Sequence, residues 1–264
     1  MSALQVAAAE GAEPVTAAVL SSLPISFTPA TDLHTAEVVV VAGEVGWPVR
    51  VQQLVAGGAA AIVVQPEPDD LTPLRSSAGR IAIDATWAGN PATAVAAEHF
   101  AAAAAHGGTL LECRVITGDL RSAGAALLDL AALVRSLIGP LTELQILRHD
   151  HRGFVASGAA GTVDVTLSVH RSTAVPAQAH ARLLTSSGGV EITLPDPGTA
   201  RPAQIVITTP DVQQLLPTLW ESPHRATWRR LSASLAAGAS TPDLSGFDAD
   251  QRVLAHPLSV LSQS

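Results

Sequence analysis

The run Glu37-Val-Val-Val-Val-Ala42 constrains this chain more than any other feature. Consecutive β-branched residues are stiff at χ1 and disfavour a helix, and an unbroken apolar run this short reads as a strand covered on both faces. Strands of that kind belong to parallel sheets, whose crossovers need helices. The flanking sequence supplies the alternation. Leu4 to Ala9 reads as a strand, Pro14 to Leu23 as a helix and Ile25 to Phe27 as a short strand. Val49 to Ala56 reads as a helix closed by Gly57-Gly58, with strands at Ala60 to Val64 and Arg80 to Ile83. Asn90-Pro91 then opens a helix to Ala105, an N-cap followed by proline at the first helical position.

After residue 107 the rhythm changes. A strand over 108–117 leads into an apolar helical stripe within Leu120 to Pro140, with 127, 128, 130, 133, 134, 137 and 138 on one face and Gly139-Pro140 as the stop. Strand-like runs follow at 141–149, 162–171, 178–186, 189–194 and 203–208, two of them joined as a hairpin through Thr185 to Gly189. Helices close the chain at about 222–237 and 248–262, with Pro257 interrupting the second. The expected fold class is α/β plus α+β. Residues 1–107 would form a reduced parallel-sheet domain and 108–264 an open, largely antiparallel sheet domain with packed helices, the C-terminal helices being free to return to the first domain.

Composition excludes several function classes. The formal net charge is −8 and the fifteen basic residues, all arginine, are scattered, so no phosphate-neutralising stripe exists and nucleic acid is not an expected partner. No apolar stretch approaches the roughly 18–20 residues of a membrane span. The start, Met1 to Glu13, has no basic segment ahead of its apolar residues, and the expected location is the cytoplasm. Cys113 is the single cysteine and sits in an ordinary strand pattern, which rules out a disulfide framework.

Five motifs in order carry a resemblance: Val38-Val-Val-Val-Ala-Gly43 leading to Ala56-Gly57 and Ile62-Val-Val64; Trp87-Ala-Gly-Asn90-Pro91; Gly124-Ala-Ala-Leu-Leu-Asp129; the strand-turn-strand Arg182 to Ile192; and Arg229-Arg230-Leu231 with Ala237-Gly238. Together they resemble the glucose-fructose oxidoreductase, inositol dehydrogenase and MocA family (Gfo/Idh/MocA) over nearly the whole chain. The resemblance implies a Rossmann-like domain, a sheet domain that often makes oligomer contacts, and NAD(P)-dependent chemistry on sugars or polyols. It also implies a substrate cleft touching Trp87 and Asn90.

The chain departs from that pattern where the chemistry sits. Where the family has a Gly-rich diphosphate loop, Ala7 to Pro14 offers only Gly11, a weak cofactor-binding remnant flanked by Glu10 and Glu13. Between Leu23 and Glu37 there is no room for the βα unit whose strand end holds the adenosine ribose. Val64-Gln-Pro-Glu-Pro68 replaces the family's Glu-Lys-Pro, and the chain has no lysine at all. Leu133 stands where a proton-exchanging histidine belongs, one turn after Asp129. Asp129 is the surviving catalytic-type residue: either it binds a ligand hydroxyl or acts as acid or base, or it pairs with local backbone or an arginine.

Other polar groups have plainer roles. His149-Asp150-His151 places two imidazoles on one strand face but offers no third ligand, and no metal site is expected. Glu67, Asp69 and Asp70 read as solvated loop charges, His99 and His106 as helix-surface groups, and Ser157 as a loop serine without a nucleophile elbow. Trp87, Trp220 and Trp228 suit either sugar stacking or the core. The expectation is a degenerate homologue without hydride transfer and without a cofactor, NAD(P) being the alternative. It would act as a binding or assembly subunit for sugar- or polyol-related metabolism, as a homodimer or with a catalytically intact paralogue through the second-domain sheet, and with a small sugar-like ligand. The alternative is an atypical NAD(P)-dependent enzyme, or a lyase, cyclase or isomerase reusing the interdomain cleft.

Overall fold

The computed structural model describes residues 3–23, 25–118 and 122–262. Leu120 and Arg121, at the head of the helical run read from the sequence, lie outside the described residues, as do Met1 and Ser2. Backbone contacts divide the chain into two compact units: residues 1–89 with 223–249, and residues 90–222 with 250–264.

The first unit is built on strands β1 (Leu4–Ala8), β2 (Phe27–Pro29), β3 (Val38–Ala42), β4 (Ala60–Val64) and β5 (Ile81–Asp84), with helices α1 (Glu13–Ser22) and α2 (Trp47–Val55). The strands form one parallel sheet in the order β2-β1-β3-β4-β5. Every residue of β3 and β4 is buried, which is why their sequences carry no polar alternation. Among the described residues no helix separates β2 from β3, but the strand β2 itself is present and pairs in parallel with β1.

The second unit contains α3 (Pro91–Ala105), β6 (Gly108–Thr117), α4 (Ala123–Ile138), β7 (Glu143–Asp150), β8 (Gly153–Ala160), β9 (Val163–Arg171), β10 (Gln178–Thr185), β11 (Gly188–Pro195), β12 (Gln204–Thr208) and β13 (Gln213–Leu215). Its eight strands run in the order β13-β12-β11-β10-β6-β9-β8-β7. All neighbours are antiparallel except β6 with β9. One face is apolar, with Leu111, Cys113, Val165, Leu167, Ala181 and Leu183 buried. The other face of the same strands exposes Glu112, Arg114, Asp164 and Arg182. That alternation is the period-two signature of a sheet covered on one side. After β13 the chain forms α5 (Pro223–Ala237) in the first unit, α6 (Asp243–Val253), and α7 (Ala255–Leu261) in the second.

Local signals explain the helix ends. Asn90 Oδ1 accepts from the Ala92 N–H at 2.9 Å to cap α3, and Ser122 Oγ accepts from the Ala125 N–H at 2.9 Å to cap α4. In the first unit, Val6, Val38, Val40 and Ile62 pack with Phe27, Trp228 and Leu231, so α5 supplies the core with its own aromatic. The Phe27 and Trp228 rings meet edge to face, centroids 5.1 Å apart. Each aliphatic side chain fully removed from water contributes about 1.5–3 kcal/mol. Trp47 of α2 is equally buried and meets Phe247 edge to face at 6.0 Å.

Two sequence expectations change. Residues 153–160, read as a turn and a loop, form β8, paired on both sides, and Ser157 is a strand residue opposite Gln145 and Thr166. The small residues Ala156, Gly158 and Ala159 have weak strand propensity, and pairing on both flanks overrides it. The single helix expected over 248–262 is two helices, α6 beginning earlier at Asp243 and α7 following at Ala255.

Candidate functional site

In a parallel sheet ordered β2-β1-β3-β4, the connection after β1 runs to one side and that after β3 to the other, and ligand crevices form beyond the carboxyl ends of the strands at such a point. Two turns occupy this place. After β1, Ala12 N–H donates to Ala9 O at 3.0 Å, and Gly11 has φ +85°, a conformation that favours glycine. A Cβ on Gly11 would lie 3.4 Å from Ala42 Cβ and 3.9 Å from Glu44 Oε1, so the β1 and β3 turns face each other closely. Helix α1 then starts at Glu13 without a side-chain cap.

The second turn, Gly43 to Trp47, is tied down from several sides. Arg50 donates to the carbonyls of Ala42, Glu44 and Val45 at 3.2, 3.0 and 3.0 Å. Asp69 Oδ2 accepts from the Gly46 N–H at 2.6 Å, and Trp47 Nε1 donates to Glu67 O at 2.9 Å. The Glu67, Asp69 and Asp70 group therefore builds loops. Asp70 accepts from the Thr72 backbone N–H at 3.0 Å, and this bond holds its carboxyl below the usual value.

At the ends of β4 and β5, Gln65 is the only non-glycine residue with positive φ, +49°, among the described residues. Its Nε2 donates to Thr86 Oγ1 at 3.0 Å. Asp84, fully buried at the end of β5, accepts from His224 Nδ1 of α5 at 2.7 Å. Sequence reasoning missed this pair, since 140 residues separate its members and neither lies in a recognisable motif.

The residues singled out from the sequence are placed as follows. Asp129 is half-buried on α4, and Leu133 one turn later is wholly buried with Leu130 and Val134. Trp87 is buried in the first unit, and Asn90 is the α3 cap in the second. Trp228 belongs to the core, while Trp220 is 66% exposed. Asp150 is taken up by the β7–β8 hairpin, accepting from Arg148 at 2.6 Å and from the Arg152 N–H at 2.8 Å. The Arg148 bond holds its carboxyl below the usual range. Among the described residues no group of three or more His, Cys, Asp or Glu side chains is placed to hold a metal, and no helix is long and apolar enough to cross a membrane.

No family sequence model and no curated protein matches the chain. Solved structures do match along almost its whole length. An oxidoreductase from Sinorhizobium meliloti aligns with a TM-score of 0.74 at 11% identity, covering 96% of each chain. KijD10, a 3-ketoreductase from Actinomadura kijaniata in complex with NADP, gives 0.68 at 11% identity over 99% of this chain and 88% of its own. The dehydrogenase MviM from Clostridium difficile gives 0.64 at 6% identity over 97% and 99%.

These neighbours correct the expectation that no cofactor goes with this scaffold, because KijD10 carries NADP on the same fold. That expectation rested on a glycine-poor turn and on the short spacing between Leu23 and Glu37, whereas a fold presents a nucleotide with several strand ends. The turn itself does not fit a diphosphate laid on the N-terminus of α1: Glu10, Glu13 and Glu44 are exposed around Gly11, and like charges repel. The parallel five-stranded sheet, the mostly antiparallel eight-stranded sheet and these full-length matches give the chain the two-domain fold of the Gfo/Idh/MocA oxidoreductases.

Proposed function

We propose that this protein keeps the oxidoreductase scaffold but not classical hydride transfer, and serves as a binding or assembly subunit in sugar- or polyol-related metabolism. The observation that carries this reading is on α4. Oxidising a carbinol requires a group that takes the hydroxyl proton as hydride leaves. One turn from Asp129 that place is held by Leu133, 0% exposed and packed in an aliphatic core, and the chain contains no lysine to take its part.

The sheet of the second unit supports an assembly role. Its exposed alternate residues Glu112, Arg114, Asp164 and Arg182 mix both signs of charge on a broad surface, suited to a second copy or to an intact paralogue. The nicotinamide nucleotide held by KijD10 is the first ligand to try.

The test is to incubate the purified protein with NADP or NADPH and a panel of polyols and ketoses, following nicotinamide absorbance. No turnover above the uncatalysed rate is expected, with a dimer or larger assembly in sedimentation. Sustained turnover by this polypeptide alone overturns the reading. Thermal unfolding with NADPH reports binding separately, since a ligand at about 100 times its Kd stabilises by about 2.7 kcal/mol.

A further inference from the structure

At the amino ends of the parallel strands, opposite the turns described above, the first unit holds a cavity of about 510 Å³. The sheet lines it with its strand starts: Leu4 opens β1, and Glu37, Ala59 and Arg80 stand immediately before β3, β4 and β5. Leu54 of α2 and Leu235 of α5 line it from the helices. Clefts of roughly 300–1,000 Å³ are those that take small molecules.

Both signs of charge line this cavity, and they are held apart. Arg80 is exposed, and its guanidinium has no hydrogen-bond or ion-pair partner among the described residues. Glu37 is exposed as well, but its Oε2 accepts from the Gln5 N–H at 2.9 Å, which draws the carboxylate toward β1 and away from β5. Only β4 lies between β3 and β5, so two strand spacings put the main chain at Glu37 and Arg80 ~10 Å apart. Two helices also end here, α2 at Val55 and α5 at Ala237, and helix carboxyl ends carry partial negative charge. A simple anion would meet Arg80 but also Glu37 and those helix ends, while a simple cation would be repelled by Arg80. The ligand that suits every group is a zwitterion with an apolar body, its two charges well separated and its middle against Leu4, Leu54 and Leu235.

We propose that this cavity binds a short apolar peptide with free termini, its carboxylate on Arg80 and its ammonium on Glu37. An extended chain spans at most about 3.3–3.6 Å per residue, so three residues cover the ~10 Å between the two charges. A single amino acid is too short to reach both. The site lies at the other end of the strands from their carboxyl ends, and it does not depend on the assembly role proposed above.

The experiment titrates the full chain at low salt with the tripeptide alanyl-leucyl-alanine, with the same peptide amidated at its carboxyl end, and with leucine. The readout is the backbone amide resonances of Gly57 and Gly58, which line the cavity, with Gly43 at the far end of β3 as internal reference. The free tripeptide should shift Gly57 and Gly58 saturably and leave Gly43 in place. Amidation should weaken binding about fivefold, the upper range for an ion pair open to solvent, and leucine should bind more weakly still. Arg80→Gln should cost the free tripeptide the same factor and leave the affinity of the amidated one unchanged, because the carboxylate that Arg80 meets is already gone. Glu37→Gln keeps an acceptor for the Gln5 N–H and should weaken both peptides alike. Gly57 and Gly58 resonances that do not respond to the tripeptide overturn the proposal. So does leucine binding as tightly as the tripeptide, or an Arg80→Gln variant that binds the free and amidated peptides with equal losses.

Discussion

Arg135 of α4 grips Asp250 through both carboxylate oxygens, its Nε 3.1 Å from Oδ1 and 3.0 Å from Oδ2, and its Nη2 3.0 Å from Oδ2. Both residues belong to the second unit, where Asp250 begins the C-terminal return. Asp250 is only 5% exposed, so removing the guanidinium strands a buried charge. Arg135→Ala should cost about 3 kcal/mol, at the lower end for a broken buried pair because Arg135 itself is one-third exposed. Urea unfolding monitored by circular dichroism measures it, and a loss within experimental error would show that water already compensates Asp250.

The same carboxylate gives a pH dependence whose sign is fixed. Burial raises the Asp250 carboxyl above its ordinary value, and Arg135 offsets this only in part. A group with a raised folded pKa binds its proton more tightly in the native state. Its stabilising contribution is complete below the unfolded value of about 3.9 and is lost as pH climbs through the folded one. Asp250→Asn removes this titration. The Tm of the variant should therefore gain on that of the wild type as pH rises out of the aspartate range, and a constant gap would contradict the assigned burial.

Asn90 lies in a stretch whose sequence suggested a substrate cleft, and the structure gives it a definite local task. Its Oδ1 caps α3 while Pro91 occupies the first turn. Asn90→Ala should lower stability by about 1 kcal/mol, and Asn90→Ser should recover most of it, because serine caps equally well. Thermal melts of the three proteins decide this.

How legible these features were follows from how local their causes are. The run Val38–Val41, the cap Asn90-Pro91 and the stripe from Leu127 to Leu137 each carry their structural cause within a few residues, and each became the element expected. β8 was not legible, because its small residues are held extended by neighbours on both sides rather than by their own preference. The pairing of Asp84 with His224 was hidden for a related reason. It needs α5 to return to the first unit, and nothing in Pro223-His224-Arg225 announces a partner 140 residues away. Gly11 was found from the sequence, but the approach of Glu44 to it was not, since only the pairing of β1 with β3 brings the two turns together.

Cys113 offers a probe of global opening. Its side chain is 2% exposed in β6, and desolvation pushes the thiol up to about 12. The thiolate is the reactive form, so at mildly alkaline pH the native protein should resist thiol reagents. Reaction with Ellman's reagent should be slow in buffer and rapid in urea, with the onset following the unfolding transition. Fast labelling without denaturant would mean that the sheet of the second unit opens locally.

Gly43 tests how the turn at the end of β3 is held. The residue is buried, its carbonyl accepts from the Glu67 N–H at 2.6 Å, and its own N–H donates to Val64 O at 2.9 Å. A Cβ there would lie 2.3 Å from Pro66 Cα, 2.6 Å from Pro66 N and 2.8 Å from Val64 O. These are backbone atoms that no rotamer change can move, so Gly43→Ala must push the segment after β4 away from β3. That displacement strains the Glu67 bond, and with it the Glu67 carbonyl that receives Trp47 Nε1. The expected cost is about 3 kcal/mol, in the range of substitutions that force main chain apart. Hydrogen exchange should rise first at Glu67 and at the Trp47 indole, while β6 to β11 in the other unit keep their protection. Uniform loss of protection across both sheets would instead mean that the two units unfold as one.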